Sequence, residues 1–147
     1  MDILKLIEKD HKETAKGLAE LEETEKNNAA ARKKIWTPLE MDLLAHMKAE
    51  EEILYPPLKE DIEDRILEAI EEHQLLRMAF SVLDKTPEND KTWLPKIEVI
   101  KDNIEHHVKE EEDEIFEAAR KKLSKEKLEE MGKRFEEAKG KKTSTKK

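Results

Sequence analysis

The 147-residue chain has no cysteine, so it can form no disulfide framework and offers no thiolate as nucleophile or ligand; any transition metal must be held by nitrogen and oxygen. Glycine occurs three times, which leaves no glycine-rich phosphate loop and too few turn residues for a many-stranded sheet. No apolar run reaches membrane length. The start, Met1-Asp2-Ile3-Leu4-Lys5, lacks the basic, apolar and small-residue order of a secretion signal, so the expected location is the cytoplasm, with no membrane partner. A concentrated basic face is missing as well: the net charge is −8 with both signs interleaved, which argues against a nucleic-acid partner.

What the chain has in abundance is charge. Asp, Glu, Lys and Arg make up 45% of it, a composition of long water-facing helices, and the length suits one all-α domain. Apolar residues recur at spacings of three and four in four stretches. Ile3, Ile7, His11, Thr14, Leu18 and Leu21 predict a first helix over about Asp2 to Glu25. Thr37 as cap with Pro38 at the first helical position predicts a second, with Leu39, Leu43, His46, Glu50 and Ile53 on its inner stripe and an end at Tyr55-Pro56-Pro57. The third spans about Asp61 to Leu83 and carries Ile66, Ala69, His73, Leu76 and Phe80. After a turn at Thr86–Asp90, Thr92 is the expected cap of the fourth, whose seam is Ile97, Ile100, Ile104, His107, Glu111 and Ile115.

Four helices of similar length with short connections predict an up-down-up-down antiparallel bundle over residues 1–120. A short extra helix over 121–139 follows Ser124, because Leu128, Met131 and Phe135 share one face. The lysine-rich end from Lys139, with residues 140–147 as its body, is expected to be a disordered tail. Trp36 and Trp93 fall just before predicted helices and are expected to cover bundle ends, while Met41, Met47 and Met78 have the spacing of core or boundary filler.

The two halves repeat. His46-x-x-x-Glu50-Glu51 is matched by His107-x-x-x-Glu111-Glu112, each followed at the same offset by an aliphatic and an aromatic, Leu54-Tyr55 and Ile115-Phe116. Asp10-His11 and Glu72-His73 lie upstream at nearly equal separation. Residues four apart on a helix project from one face, so each His-Glu pair forms a claw on an apolar seam. An ionised glutamate at the centre of a bundle costs several kcal/mol unless it is paired or coordinates a metal, and the cost arises twice at the same depth. Imidazoles and carboxylates together suit a borderline ion such as iron, manganese or zinc, and the candidate ligands are His11, His46, Glu50, His73, His107 and Glu111. His106 falls beside the seam, as a solvated or outer residue.

These motifs, in this order and spacing from about Ile3 to Ala118, resemble the hemerythrin-like proteins, in the branch called the HHE cation-binding domain. The resemblance implies two non-haem irons joined by an oxo or hydroxo group, with Glu50 and Glu111 bridging and His11, His46, His73 and His107 as terminal ligands. Manganese or zinc are possible substitutes. It also implies a small diatomic ligand (dioxygen or nitric oxide) or peroxide, bound for sensing, scavenging or iron handling. Oxygen-carrying members have a histidine where this chain has Arg77, and an aspartate five residues after the last-helix histidine where this chain has Glu111 at four and Glu112 at five. Those departures point away from simple reversible oxygen carriage. A di-iron enzyme that degrades peroxide or oxidises a substrate is the alternative, and a metal-free helical interaction module a third reading. The ferritin-like pattern of paired Glu-x-x-His motifs is met only by Glu8-x-x-His11.

Overall fold

The computed structural model describes the backbone of residues 1–145 and the side chains of residues 1–140. Their regular elements are all helices, without a strand: α1 (Ile3–Glu22), α2 (Ala29–Ala49), α3 (Glu63–Asp84), α4 (Trp93–Glu110), α5 (Phe116–Lys122) and α6 (Lys125–Thr145). Helices α2 and α4 each run on into a π-helical turn, Glu50–Leu54 and Glu111–Ile115, so α4, its π turn and α5 form one long rod. The four-helix bundle with an extra C-terminal helix is therefore the architecture.

Helix starts follow local chemistry. Asp2 caps α1 by accepting from the Lys5 backbone N–H at 2.9 Å, and Ser124 accepts from that of Lys127 ahead of α6. The second helix departs from expectation. It starts at Ala29, capped by Asn28, eight residues before Thr37, and runs through Pro38. The Ala29-Ala30-Ala31 run is a strong helix former, and the added turns bury Arg32 and Trp36, which outweighs one backbone hydrogen bond lost at proline. Trp36 is thus internal to a helix, its indole N–H donating to Asp84 at 3.0 Å. Arg32 lies within 5.2 Å of the Trp93 ring centre and donates to Thr24 Oγ1 and Glu88 O, tying both end loops together. Thr92 caps α4 without a side-chain bond; its own N–H and hydroxyl instead donate to Asp90. Met47 is buried, but Met78 is 66% exposed and fills no core position.

The core is in two parts. One cluster, with Leu18, Trp36, Leu43, Leu76, Phe80 and Trp93, fills the end where both interhelix loops meet. The other, with Ile3, Ile7, Leu54, Leu58, Ile66, Phe116 and Phe135, fills the opposite end. The buried polar residues His46, Glu50, His73, His107 and Glu111 lie between them. Helix α6 packs on α1 and α2 through Leu128, Met131 and Phe135. Beyond Gly140 the side chains of the expected tail lie outside the described residues, as do residues 146 and 147 entirely.

Candidate metal centre

Each helix of the bundle brings its inward polar residue to the same level. Four imidazoles turn Nε2 towards two carboxylates: His11 is 3.1 Å from Glu111 Oε1, His46 3.1 Å from Glu50 Oε2, His73 3.2 Å from Glu50 Oε1, and His107 3.9 Å from Glu111 Oε2. His73 and His107 approach each other to 3.1 Å through their Nε2 atoms. All six residues predicted from the sequence are brought together. Glu50, His73 and Glu111 are fully or almost fully buried.

The outward nitrogens are equally ordered. Nδ1 of His11 meets Glu112 at 2.7 Å, that of His46 meets Asp10 at 2.8 Å, that of His73 meets Glu51 at 2.7 Å, and that of His107 meets Glu72 at 2.6 Å. An imidazole that donates Nδ1–H to a carboxylate presents an Nε2 lone pair inward, the tautomer a metal requires. Each of these four carboxylates is the chain neighbour of an inner ligand, in Asp10-His11, Glu50-Glu51, Glu72-His73 and Glu111-Glu112. The arrangement has a pseudo-two-fold: Asp10 to His46 corresponds to Glu72 to His107 within each half, and Glu112 to His11 corresponds to Glu51 to His73 across the halves.

The π turns make this possible. Both begin on the inner glutamate, with the Tyr55 N–H donating to Glu50 O at 3.0 Å and the Phe116 N–H donating to Glu111 O. One wide turn lets Glu50 point inward while Glu51 beside it reaches the outer face of His73, and it then returns Ile53, Leu54 and Tyr55 to the core. The symmetry breaks at the following aromatic. Phe116 stacks on His11 with centroids 6.5 Å apart, whereas Tyr55 stacks on His73 at 5.7 Å and donates its hydroxyl to Glu111 Oε2 at 2.6 Å.

Charge among these buried groups is strongly coupled. Burial opposes a charged His46, but the Glu50 carboxylate and the Asp10 hydrogen bond overcome it and push the imidazole pKa up to about 10. His73 is raised to about 9 in the same way, burial being overcome by Glu50 and Glu51. His11 is raised too, its burial outweighed by Glu111. Glu50 falls well below the usual carboxylate value because the histidine charges outweigh its own burial. Burial and the nearby Glu111 and Glu50 charges drive the Tyr55 phenol well above its ordinary value, so it keeps its proton. Glu50 Oε2 and Glu111 Oε1 are nonetheless buried without a hydrogen-bond partner, since the imidazoles beside them lie outside bonding geometry. Two orphaned carboxylate oxygens facing converging imidazoles fit metal ions. His11, His46, Glu50 and Glu111 each offer one donor atom within 4.8 Å of the others, and so do Glu50, His73 and His107. Glu50 belongs to both groups.

On the Trp36 side of the imidazoles is a cavity of about 30 Å³, lined by His11, His46, His73, His107 and Glu50 and walled by Leu43, Met47, Leu76, Ile104 and Val108. His106 is 65% exposed and stands outside the centre, 3.0 Å from Glu110. Arg77 pairs with Glu51 at 3.0 Å.

The sequence pattern of the hemerythrin HHE cation binding domain matches residues 2–119. A crystal structure of a protein from Mycobacterium kansasii that contains a hemerythrin HHE cation-binding domain superposes with a TM-score of 0.83 at 24% identity, covering 96% of this chain and 89% of that one. A DNA nickase of Nostoc sp. (strain PCC 7120 / SAG 25.82 / UTEX 2576) is 29% identical over 96% of this chain, which spans only 40% of that relative's length.

Proposed function

The chain belongs to the hemerythrin HHE cation-binding domain family, and from that premise we propose that it is a non-haem di-iron protein which binds dioxygen, nitric oxide or peroxide for sensing, scavenging or iron handling. The observation that carries the reading is the convergence of four imidazole Nε2 atoms on two buried carboxylates that have oxygens without partners. His11 and His46 would hold one iron, His73 and His107 the other, with Glu50 and Glu111 shared; manganese or zinc fit the same donors. When bound, such ions supply redox electrons and Lewis acidity to a small ligand.

The chain's own residues restrict that ligand. A cavity of about 30 Å³ has room for one molecule the size of water, dioxygen or peroxide, between the imidazoles on one side and Leu43, Leu76, Ile104 and Val108 on the other. Asp10, Glu51, Glu72 and Glu112 fix each imidazole tautomer and orientation, which keeps the donor set assembled as charge changes. Tyr55 places a protonated hydroxyl 2.6 Å from Glu111 and 3.4 Å from Glu50. That buried proton favours a second reading, turnover of peroxide, in which a proton must reach the departing oxygen. Steady consumption of hydrogen peroxide by the iron-loaded protein would select it over stoichiometric binding.

The DNA in the name of the Nostoc relative concerns a protein of which this chain matches two fifths. With a net charge of −8 and both signs interleaved along the sequence, the present chain is read as binding no nucleic acid. Among the described residues no helix is long and apolar enough to cross a membrane. The test is iron quantification of anaerobically purified protein, with optical spectra before and after admission of oxygen, nitric oxide or peroxide. Two irons per chain and a spectral change with at least one ligand are expected; iron well below one per chain, or spectra indifferent to all three, would reject the reading.

A further inference from the structure

The family match ends at residue 119, yet α6, which begins at Lys125, touches the centre. Phe135 sets its ring edge-on to His46, with centroids 5.6 Å apart and planes at 88°. One turn on, Lys139 Nζ lies 5.2 Å from the Phe135 ring centre and donates to Asp10 Oδ2, the oxygen that meets His46 Nδ1 at 2.8 Å. The helix is therefore joined to one ligand twice, directly through a ring and indirectly through a carboxylate.

The pseudo-two-fold explains why the chain needs this. In the second half of the repeat, α3 supplies its own cations: Arg65, seven residues before Glu72, reaches that carboxylate at 3.4 Å, and Arg77, four after His73, reaches Glu51 at 3.0 Å. The positions equivalent in α1, seven before Asp10 and four after His11, are Ile3 and Ala15, which carry no charge. Lys139 gives Asp10, from α6, the cationic partner that Arg65 gives Glu72. Its reach is set by close helix packing: a Cβ at Gly132 would lie 2.4 Å from Met1 O and 3.1 Å from Ile3 N, so only glycine lets α6 approach the start of α1 this tightly. From Gly132, two helical turns lead to Lys139.

We propose that α6 is a working part of the metal centre, with Lys139 as a positioning residue that holds Asp10, and through it His46, in ligating orientation. Asp10 is partly exposed, so without the ammonium it can turn to water and release the Nδ1–H that fixes the ring. The inference rests on the reading that the centre holds metal.

The test follows release of zinc from the fully loaded, full-length protein to excess chelator. Lys139→Met keeps the stem over Phe135 and removes the charge. It should release one of the two equivalents about tenfold faster and leave the other unchanged, the lower end of what loss of an outer-shell partner costs in affinity. Lys139→Arg should restore slow release, and Lys133→Met, on the exposed side of α6, should match wild type. Wild-type release kinetics in Lys139→Met would overturn the proposal, and so would equal acceleration of both equivalents with reduced helicity, which marks a merely structural helix. A wild type that never binds two zinc ions would instead reject the metal-centre reading, and this inference with it.

Discussion

Glu50→Gln is the sharpest perturbation the structure offers. The carboxylate is fully buried, lies 3.1 Å from His46 and 3.2 Å from His73, and is the one residue common to both groups of metal donors. Glutamine keeps the shape and removes the charge. In the metal-free wild type the Glu50 carboxylate is the leading influence that raises the two imidazoles to about 10 and 9, and without its charge they are left beside a neutral amide. Breaking a buried ion pair costs about 3–5 kcal/mol; the histidines can shed protons to lessen it, so about 3 kcal/mol is expected. At about 2–4 °C per kcal/mol for a chain of this size, the metal-free variant should melt roughly 6–12 °C below wild type. The deficit should shrink towards pH 10, where His46 gives up its charge in the wild type and the pair with Glu50 is lost there too. Circular-dichroism melts at the two pH values read the stability, and elemental analysis reads the metal, which should fall to at most one ion per chain. A variant that melts within about 2 °C of wild type at pH 7, measured against that same estimate, and still holds two metals would refute the reasoning.

Other perturbations separate the remaining parts of the account. The folded pKa values of His46 and His73 lie above the ordinary 6.5, so their protonation stabilises the metal-free protein fully below pH 6.5, and that contribution is lost as pH rises through 9 and 10. Metal must displace those protons, so the gap in melting temperature between zinc-loaded and metal-free protein should widen with pH over this range; a constant gap would contradict it. Gly132→Ala forces a methyl group against the Met1 carbonyl and should destabilise the fold by about 1–3 kcal/mol, read from denaturant midpoints; an unchanged midpoint would show that α6 is not held there. Leu76→Phe fills the small cavity and should slow nitric oxide binding at least tenfold with metal content unchanged; wild-type rates would place ligand entry elsewhere.

Much of this architecture is legible in the chain because helical periodicity and helix position are the same information. His11, His46, His73 and His107 stand in apolar stripes, and a polar residue in such a stripe has to face the core. The outer carboxylates are chain neighbours of the ligands, but pairing Glu51 with His73 and Asp10 with His46 depends on how helices face each other, which no local pattern records. The π turns were hidden for another reason: an inserted residue shifts the stripe by one, and the buried run Ile53-Leu54-Tyr55 reads in sequence as an ordinary helix end before two prolines. At Thr37-Pro38 a convincing start signal lies inside a helix, since burial of Arg32 and Trp36 upstream outweighs the local cue. Lys139 carries no signal in a lysine-rich end and gains its place only when Gly132 brings α6 onto the start of α1.

The central claim is a bridged pair of metals, and magnetic susceptibility of the iron-loaded, oxidised protein addresses it most directly. Two irons per chain sharing Glu50 and Glu111 should couple, giving a susceptibility well below that of two isolated ferric ions and rising with temperature as the coupling is overcome. A single iron per chain, or two that follow the behaviour of independent ions at all temperatures, would contradict the account.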